Sequence, residues 1–155
     1  MYKRQNVVGE LSLVAGAPGL VGGQVVDLEC EGKEVDLETL EYIHLHKTGA
    51  LLKACVRTGA MIAGANEKLL QALTTYAEGI GLAFQIIDDI LDLTSSSEKL
   101  GKTAGKDLLA DKTTYPKLLG MEESKKRAFD LVKKAKKAIE PWGCLLYTSD
   151  AADEL

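Results

Sequence analysis

The segment from Ile80 to Leu93 constrains the fold of this chain more than any other part of the sequence. It is apolar almost throughout, without the alternation of a half-buried strand, and therefore predicts a buried helix. Its polar residues recur at helical spacings of i, i+3, i+4 and i+7, which places them in one stripe on one face. The stripe consists of Gln85, Asp88, Asp89 and Asp92.

An acidic stripe on a buried helix requires positive charge from outside that helix. Carboxylates one turn apart repel each other by roughly 0.2–0.5 kcal/mol even on an exposed helix, and burying an unpaired charge costs far more. The flanking positions one turn away are Phe84 and Ser96, so the helix itself supplies no cation. Magnesium, a hard cation, typically binds one or two carboxylates together with substrate phosphates.

The aspartates therefore predict a site for magnesium and a phosphate-bearing substrate, with Asp88, Asp89 and Asp92 as candidate metal ligands. Paired aspartates alone are a weak signal. The alternative is an acidic cluster at a helix N-terminus or a water-exposed acidic patch. That alternative has to explain why aliphatic side chains surround the stripe.

Two lysine-bearing segments, Gly101–Asp107 and Asp111–Thr114, follow the acidic helix. Lysine is a compact point charge with three hydrogen-bond donors, and lysines in a glycine-bearing loop suit the binding of a diphosphate. The tripeptide at 101–103, Gly-Lys-Thr, is not part of a P-loop, because Ser96 stands where that motif needs its first glycine and no strand precedes it.

Several other polar residues have two readings. Lys47 is either an ordinary exposed lysine or part of the same site. His44 and His46 do not share a helix face, so packing or surface roles are expected rather than a zinc pair. Gln24 and Asp27 follow a glycine-rich stretch and are either polar members of a core face or supports of the site.

The rest of the chain also predicts helices, since no alternating apolar pattern persists, and we expect an all-α fold. Asp36 is a candidate N-cap for the helix that starts at Leu37. The glycines of Gly16–Gly23 predict a break, residues 95–104 predict a loop, and Pro116 interrupts a short helical piece. The predicted helices cover about residues 7–15, 24–28, 37–65, 67–93 and 122–140.

Charge and composition argue against two classes of function. A net charge of −4 argues against a general affinity for nucleic acid, which favours a basic surface. No apolar run is expected to reach the length needed to span a bilayer. The last helix is amphipathic, and its lysines are expected to form a solvated outer face rather than a membrane or nucleic-acid patch. These are Lys133, Lys134, Lys136 and Lys137.

The cysteines and the chain ends complete the interpretation. Cys30, Cys55 and Cys144 match no zinc or redox spacing and predict reduced intracellular thiols. Residues 1–5 and 144–155 fit neither neighbouring helical pattern and resemble translated read-through of sequencing adaptors. We exclude them as non-native ends, so the predicted domain covers residues 6–143.

Taken in order, these segments resemble the signature pieces of the trans-isoprenyl diphosphate synthases, the polyprenyl synthetase family, and most of all its geranylgeranyl diphosphate synthase group in plants and algae. Each piece is weak to moderate alone, but the ordered set is highly specific. The pieces are Gly22–Leu28, His46-Lys47-Thr48, Phe84–Asp92, Gly101–Asp107 and Asp111–Pro116.

The resemblance implies a bundle of antiparallel helices around a deep cavity, usually in a homodimer, and an intracellular or plastid location. It also implies magnesium-assisted condensation of isopentenyl diphosphate with an allylic diphosphate, whose departing diphosphate leaves a carbocation. Asp88 is then a magnesium ligand, while Asp89 and Asp92 hold metal-bound water or the rest of the cluster.

The same resemblance implies roles for five other residues. Lys47, Lys102 and Lys112 contact the allylic diphosphate. Thr48 and Gln85 lie along the developing carbocation and offer it oxygen dipoles.

One part of the family pattern has no counterpart in this sequence. The first Asp-rich motif, its arginines and the isopentenyl-binding residues belong to an upstream half, so we expect this chain to be a C-terminal half that is inactive alone. The residues that set product length stand near that first motif. A non-catalytic regulatory subunit that binds an active synthase is the main alternative, and a plain helical interaction module is a third. The intact aspartates and lysines speak against both.

Overall fold

The structure, a computed structural model, describes residues 2–99 and 112–143, and all regular structure in these two ranges is helical. The predicted all-α fold is therefore confirmed. The α-helices are α1 (Tyr2–Ala15), α2 (Leu20–Glu29), α3 (Leu37–Ile43), α4 (Ala50–Ala63), α5 (Glu67–Lys99), α6 (Tyr115–Leu119) and α7 (Met121–Ile139). A π-helical segment, His44–Gly49, joins α3 to α4, and a 3₁₀ turn, Glu140–Trp142, follows α7.

Helix α3 begins where the sequence predicts. The Thr39 amide donates a hydrogen bond of 2.8 Å to Oδ1 of Asp36, whose backbone is extended, as expected for an N-cap. This bond lowers the pKa of the Asp36 carboxyl, chiefly because the Thr39 N–H stabilises the charged form.

The predicted break near residue 66 is also confirmed. Helix α4 ends at Gly64, whose φ of +85° lies in the left-handed region that glycine adopts without strain. Asn66 starts α5 by accepting a hydrogen bond of 2.9 Å from the Leu69 amide. The short connection makes α4 and α5 antiparallel neighbours that pack against each other.

The predicted glycine-rich break is wrong for its second half, because α2 begins at Leu20 rather than at Gln24. A Cβ atom on Gly23 would lie 2.3 Å from the amide nitrogen of Lys47 and 2.8 Å from the carbonyl carbon of His46. At Gly23, α2 therefore crosses close over the π-helical segment. A residue with a side chain at this position would not allow so close a crossing. The contact outweighs the roughly 1 kcal/mol by which glycine disfavours a helix interior.

Two predicted boundaries are corrected on the long helices. The helix predicted over 37–65 is interrupted at His44–Gly49, where the backbone takes the wider π-helical turn. Helix α5 runs on to Lys99, beyond the predicted end near residue 93 and through the first part of the predicted loop. The remaining loop positions, 100–104, lie outside the described residues.

Helix α5 is central to the core. It packs against α4, α7 and the π-helical segment. It lies close to α7 at Gly79, where a Cβ atom would stand 3.0 Å from Cβ of Ala135. Burial of each large aliphatic side chain contributes about 1.5–3 kcal/mol. The main core cluster consists of Leu40, Leu82, Ala83, Ile86, Ile90, Tyr115 and Ala128.

The expectation that no apolar run is long enough to span a bilayer is wrong, because one stretch is both long and apolar enough. The stretch Lys3–Glu29 contains an 18-residue window that passes this test, and 17% of the window is buried. In the structure the chain turns at residues 16–19, which separates α1 from α2, and α2 packs on the π-helical segment. Such a stretch is weak evidence for a membrane span.

Candidate functional site

The π-helical segment places Lys47 against helix α2. Nζ of Lys47 lies 2.5 Å from Oδ2 of Asp27, and the two side chains are 38% and 22% exposed. The crossing at Gly23 brings the two elements close enough for this ion pair. Interruptions of this kind within a helix are frequent at functional sites. Asp27, which the sequence left open between core and site, thus belongs with Lys47.

The acidic stripe on α5 divides into two faces. Asp89 is 3% exposed, whereas Asp88 and Asp92 are exposed. Successive helical residues differ by about 100° around the axis, so neighbouring aspartates face different surroundings. The expectation of a helix buried on all sides is therefore wrong, and burial separates Asp89 from the other two aspartates of the stripe.

The exposed face of α5 is apolar around its two aspartates. Phe84, Ile87 and Leu91 are 58%, 42% and 55% exposed and flank Asp88 and Asp92 along the helix. The predicted aliphatic surroundings are therefore present, although they are open at the surface. Two exposed carboxylates one turn apart repel each other by only about 0.2–0.5 kcal/mol, so burial no longer demands a cation here, but both carboxylates are accessible to one.

Asp89 is bound inside the protein instead. Its Oδ2 accepts a hydrogen bond of 3.0 Å from the Tyr115 amide and one of 3.3 Å from Nε2 of His44, which is 4% exposed. The His44 and Tyr115 rings stack with centroids 5.7 Å apart. The packing role expected for His44 is thus realised, with Asp89 as its partner.

The contacts of Asp89 also limit the predicted metal cluster. Within residues 2–99 and 112–143, no three His, Cys, Asp or Glu side chains converge as ligands for one metal ion. The structure supports Asp88 and Asp92 as a pair of available oxygen donors and assigns Asp89 to a different environment. No pattern on α5 alone distinguishes the two, because His44 and Tyr115 lie 45 and 26 residues away in the chain.

A polar network extends from Tyr115 to the outer helices. Its hydroxyl donates a hydrogen bond of 3.0 Å to Oε1 of Glu41, which also accepts from Arg127. The Arg127 guanidinium lies 6.0 Å from the Tyr115 ring centroid. Burial, and then the Glu41 charge, raise the pKa of Tyr115 above its usual range, so the phenol stays protonated. The network ties α3, α6 and α7 together.

A cavity of about 560 Å³ lies beside the ion pair of Asp27. His44 and Lys112 line the same cavity, so a lysine from the segment after α5 shares it with α2 and the π-helical segment. Nζ of Lys117 donates to the Lys112 carbonyl at 2.6 Å, which ties the Lys112 backbone to α6. Lys112 thus lies at the same cavity as Asp27 and His44, and its contact with a diphosphate stays a prediction.

The remaining predicted site residues fall into two groups. Thr48 stands next to Lys47 in the π-helical segment, and Gln85 is half-buried on α5. The backbones of these two elements approach closely, since a Cβ atom on Gly81 would lie 3.4 Å from Cα of Gly49. Lys102 lies outside the described residues.

Comparison with known proteins places these features in a family. The family model described as Polyprenyl synthetase matches residues 5–141. The dimethylallyltranstransferase of Fischerella ambigua (strain UTEX 1903) is 56% identical over 138 residues, which are 88% of this chain and 40% of that protein. The chloroplastic geranylgeranyl pyrophosphate synthase of Capsicum annuum is 54% identical over 136 residues, which are 87% of this chain and 37% of that protein.

A solved structure agrees with these sequence matches. The geranyltransferase of Helicobacter pylori, complexed with magnesium and isoprenyl diphosphate, superposes with a TM-score of 0.75 at 30% identity. The superposition covers 90% of this chain and 46% of that one. This chain therefore spans less than half the length of the proteins it matches.

Proposed function

Because the chain belongs to the polyprenyl synthetase family, we propose that the whole protein is an isoprenyl diphosphate synthase that condenses isopentenyl diphosphate with an allylic diphosphate. The names of its relatives, a dimethylallyltranstransferase and a geranylgeranyl pyrophosphate synthase, support this activity. One observation carries the proposal. Asp88 and Asp92 stay exposed one turn apart on α5, within an exposed apolar face.

This donor set fits magnesium. Asp88 and Asp92 offer carboxylate oxygens on one side of α5, and magnesium typically uses one or two carboxylates plus substrate phosphates. Asp89 does not fit as a direct ligand, because it is buried and its Oδ2 already accepts hydrogen bonds from His44 and the Tyr115 amide. When bound, magnesium supplies positive charge that stabilises the departing diphosphate. The magnesium complex of the Helicobacter pylori relative supports the assignment.

The cationic side chains of this chain hold the allylic diphosphate. Lys47 has three N–H donors, one of which goes to Asp27, so two remain for phosphate oxygens. Lys112 lines the cavity beside Asp27. Lys102 is proposed as the third diphosphate contact on the family pattern alone. Together these lysines offset the charge that accumulates on the leaving group.

Thr48 and Gln85 are proposed to face the developing carbocation. Thr48 adjoins Lys47, and Gln85 lies one turn before Asp88 and Asp89 on α5. The close approach of Gly81 to Gly49 supports a common location for the two side chains. Their oxygen dipoles then stabilise positive charge without acting as nucleophiles.

The finer proposals concern product, assembly and location. Geranylgeranyl diphosphate is the proposed product, and a plastid is the proposed location, by similarity to the chloroplastic enzyme of Capsicum annuum. A homodimer is proposed on the family pattern. The present chain is proposed to be the C-terminal half of the catalytic domain, inactive alone because the first Asp-rich motif is not in its sequence.

Magnesium-dependent binding of inorganic diphosphate to the chain tests the site. We expect titration calorimetry to show binding that magnesium strengthens. Asp88→Ala should weaken it at least about tenfold, because loss of even a residue that supports a metal ligand costs about 10- to 100-fold in metal affinity. The matched control is Asp130→Ala, which removes an exposed carboxylate on α7 and should leave binding unchanged. Equal binding by wild type and Asp88→Ala contradicts the assigned role.

A non-catalytic subunit that binds an active synthase is the second candidate function. Two relatives carry the names of enzymes, a dimethylallyltranstransferase and a geranylgeranyl pyrophosphate synthase. The sequence also retains the aspartate pair and the three proposed diphosphate lysines, which favours the first proposal. The second proposal is favoured if the affinity for diphosphate does not change with magnesium concentration and the chain forms a stable complex with an active synthase.

A further inference from the structure

Asp89 lies between the two segments that carry the proposed diphosphate lysines. It accepts one hydrogen bond from His44, three residues before Lys47, and one from the Tyr115 amide, three residues after Lys112. Both bonds end on the same carboxylate oxygen, Oδ2. One buried side chain of α5 therefore contacts both cation-bearing segments.

The lysines themselves have little interior support. Lys112 is exposed, and the Lys47 side chain is 38% exposed with its ion pair at the surface of α2. Exposed ion pairs contribute only about 0–1 kcal/mol and do not hold a backbone in place. Hydrogen bonds to a buried carboxylate are stronger, because the charge is not screened by water. The positions of both lysines thus depend on the interior bonds of their segments.

Packing around Asp89 makes its two bonds act together. The stacked rings of His44 and Tyr115 join the π-helical segment directly to the start of α6. The Tyr115 hydroxyl is held in turn by Glu41, and Glu41 by Arg127. His44, Asp89 and Tyr115 are 4%, 3% and 0% exposed, so these contacts lie wholly within the core.

We infer that Asp89 is a positioning residue, rather than a metal ligand, that sets the spacing of Lys47 and Lys112 about the face of α5 that carries Asp88. We call the two hydrogen bonds of Asp89, to His44 and to the Tyr115 amide, the Asp89 clamp. The clamp is inferred from these contacts alone, whereas the importance of the lysine spacing rests on the proposed function. Two adjacent aspartates then divide the work. Asp88 faces the diphosphate site, and Asp89 holds the surrounding segments from inside.

Hydrogen exchange measured by mass spectrometry on the 155-residue chain tests the clamp. In Asp89→Asn we expect exchange to rise at least about tenfold in residues 44–49 and at the start of α6, because charge-assisted bonds of about 1.5–3 kcal/mol are weakened. The matched control is Asp88→Asn, the same change on the exposed neighbour, which should leave both segments protected. Unchanged exchange in Asp89→Asn, or an equal rise in Asp88→Asn, overturns the inference.

A second variant keeps the test decisive if Asp89→Asn does not fold. His44→Phe retains a ring against Tyr115 but removes the donor to Asp89, so exchange should rise in residues 44–49 while the Tyr115 amide stays protected. No rise in residues 44–49 overturns the clamp. The chain has two histidines, so the imidazole N–H signal of His44 is easily distinguished from that of His46 by NMR.

Magnesium dependence separates positioning from ligation. At saturating magnesium, Asp89→Asn should weaken inorganic diphosphate binding at least about tenfold, the loss of about one charge-assisted hydrogen bond from a lysine, with the half-saturating magnesium concentration within about twofold of wild type. A rise in that concentration as large as in Asp88→Asn makes Asp89 a ligand and overturns the inference. If the wild-type chain binds no diphosphate, the proposed site fails, but the exchange experiment still decides the clamp.

Discussion

At the scale of single residues, neighbours in the sequence have different partners in space. Asp88 is exposed on α5 while Asp89 is bonded to His44 and Tyr115. Gly23 shows the same dependence on partners, because its lack of a side chain matters only where α2 crosses the Lys47 backbone. The type of a residue limits the interactions that it can make, and its contacts in the fold determine which of them it makes.

The crossing at Gly23 predicts opposite effects of one substitution at two helical glycines. Gly23→Ala should destabilise the chain by about 1–3 kcal/mol, because the added Cβ meets backbone atoms that cannot rotate away. Gly59→Ala in α4 should stabilise it by about 0.5–1 kcal/mol, since nothing lies within 4 Å of the added Cβ. Urea unfolding measures both, and stabilisation by both variants would contradict the close crossing.

At the scale of helices, local sequence sets where an element starts, and packing sets how far it runs. Asp36 starts α3 through its own side chain, so this boundary is visible in the sequence. The switch to a π-helical turn at His44–Gly49 is not visible there. It occurs where His44 is hydrogen-bonded to the buried Asp89 and where Lys47 pairs with Asp27.

The N-cap of α3 predicts a pH effect. The folded pKa of Asp36 is lowered, so its stabilising bond is fully present above the unfolded pKa and is lost as pH falls through the folded pKa. Asparagine caps helices without a charge, so Asp36→Asn lacks this dependence. Thermal unfolding from about pH 6 to about pH 3 should show the advantage of wild type over Asp36→Asn shrinking with acid. A difference that stays constant over this range would rule out the charged cap.

At the scale of the whole molecule, the structure exposes extended apolar surface, and the chain is shorter than the relatives it matches. Rows of exposed apolar side chains run along two helices, on α5 beside Asp88 and on α2 at Val21, Val25 and Leu28, which are 47%, 47% and 54% exposed. Extended apolar patches on a folded surface mark sites that contact something else. The chain spans about 40% of the length of its curated relatives.

The missing counterpart of the first Asp-rich motif predicts that this chain forms no product alone. Incubation with isopentenyl diphosphate, an allylic diphosphate and magnesium should give product at or near the level of a protein-free control, because only one side of the proposed metal site is in the sequence. Mass spectrometry of extracted prenyl diphosphates measures this directly. Robust product formation would show that the acidic pair on α5 suffices, and the half-site argument would be wrong.

The sequence by itself determined the fold class, the cap at Asp36 and the location of the acidic motif on one helix. These follow from periodicity and side-chain chemistry within a few residues, which are local properties of a chain. The ordered motifs from Gly22 to Pro116 also sufficed to indicate the family, which the match over residues 5–141 confirmed. The roles of Lys47, Thr48, Gln85, Lys102 and Lys112 stay predictions.

Only the tertiary structure decided which side of the acidic helix is buried. Helical spacing placed the aspartates within one broad stripe, but burial depends on residues that pack from elsewhere. His44 and Tyr115 reach Asp89 from 45 and 26 residues away, and no local pattern encodes their arrival. Gly23 likewise became a crossing point only through a distant contact, with the backbone of His46 and Lys47. The sequence thus shows that the motif Asp88-Asp89 is acidic. Only the folded chain shows that Asp88 is an exposed carboxylate and Asp89 a buried one, because burial is a property of packing.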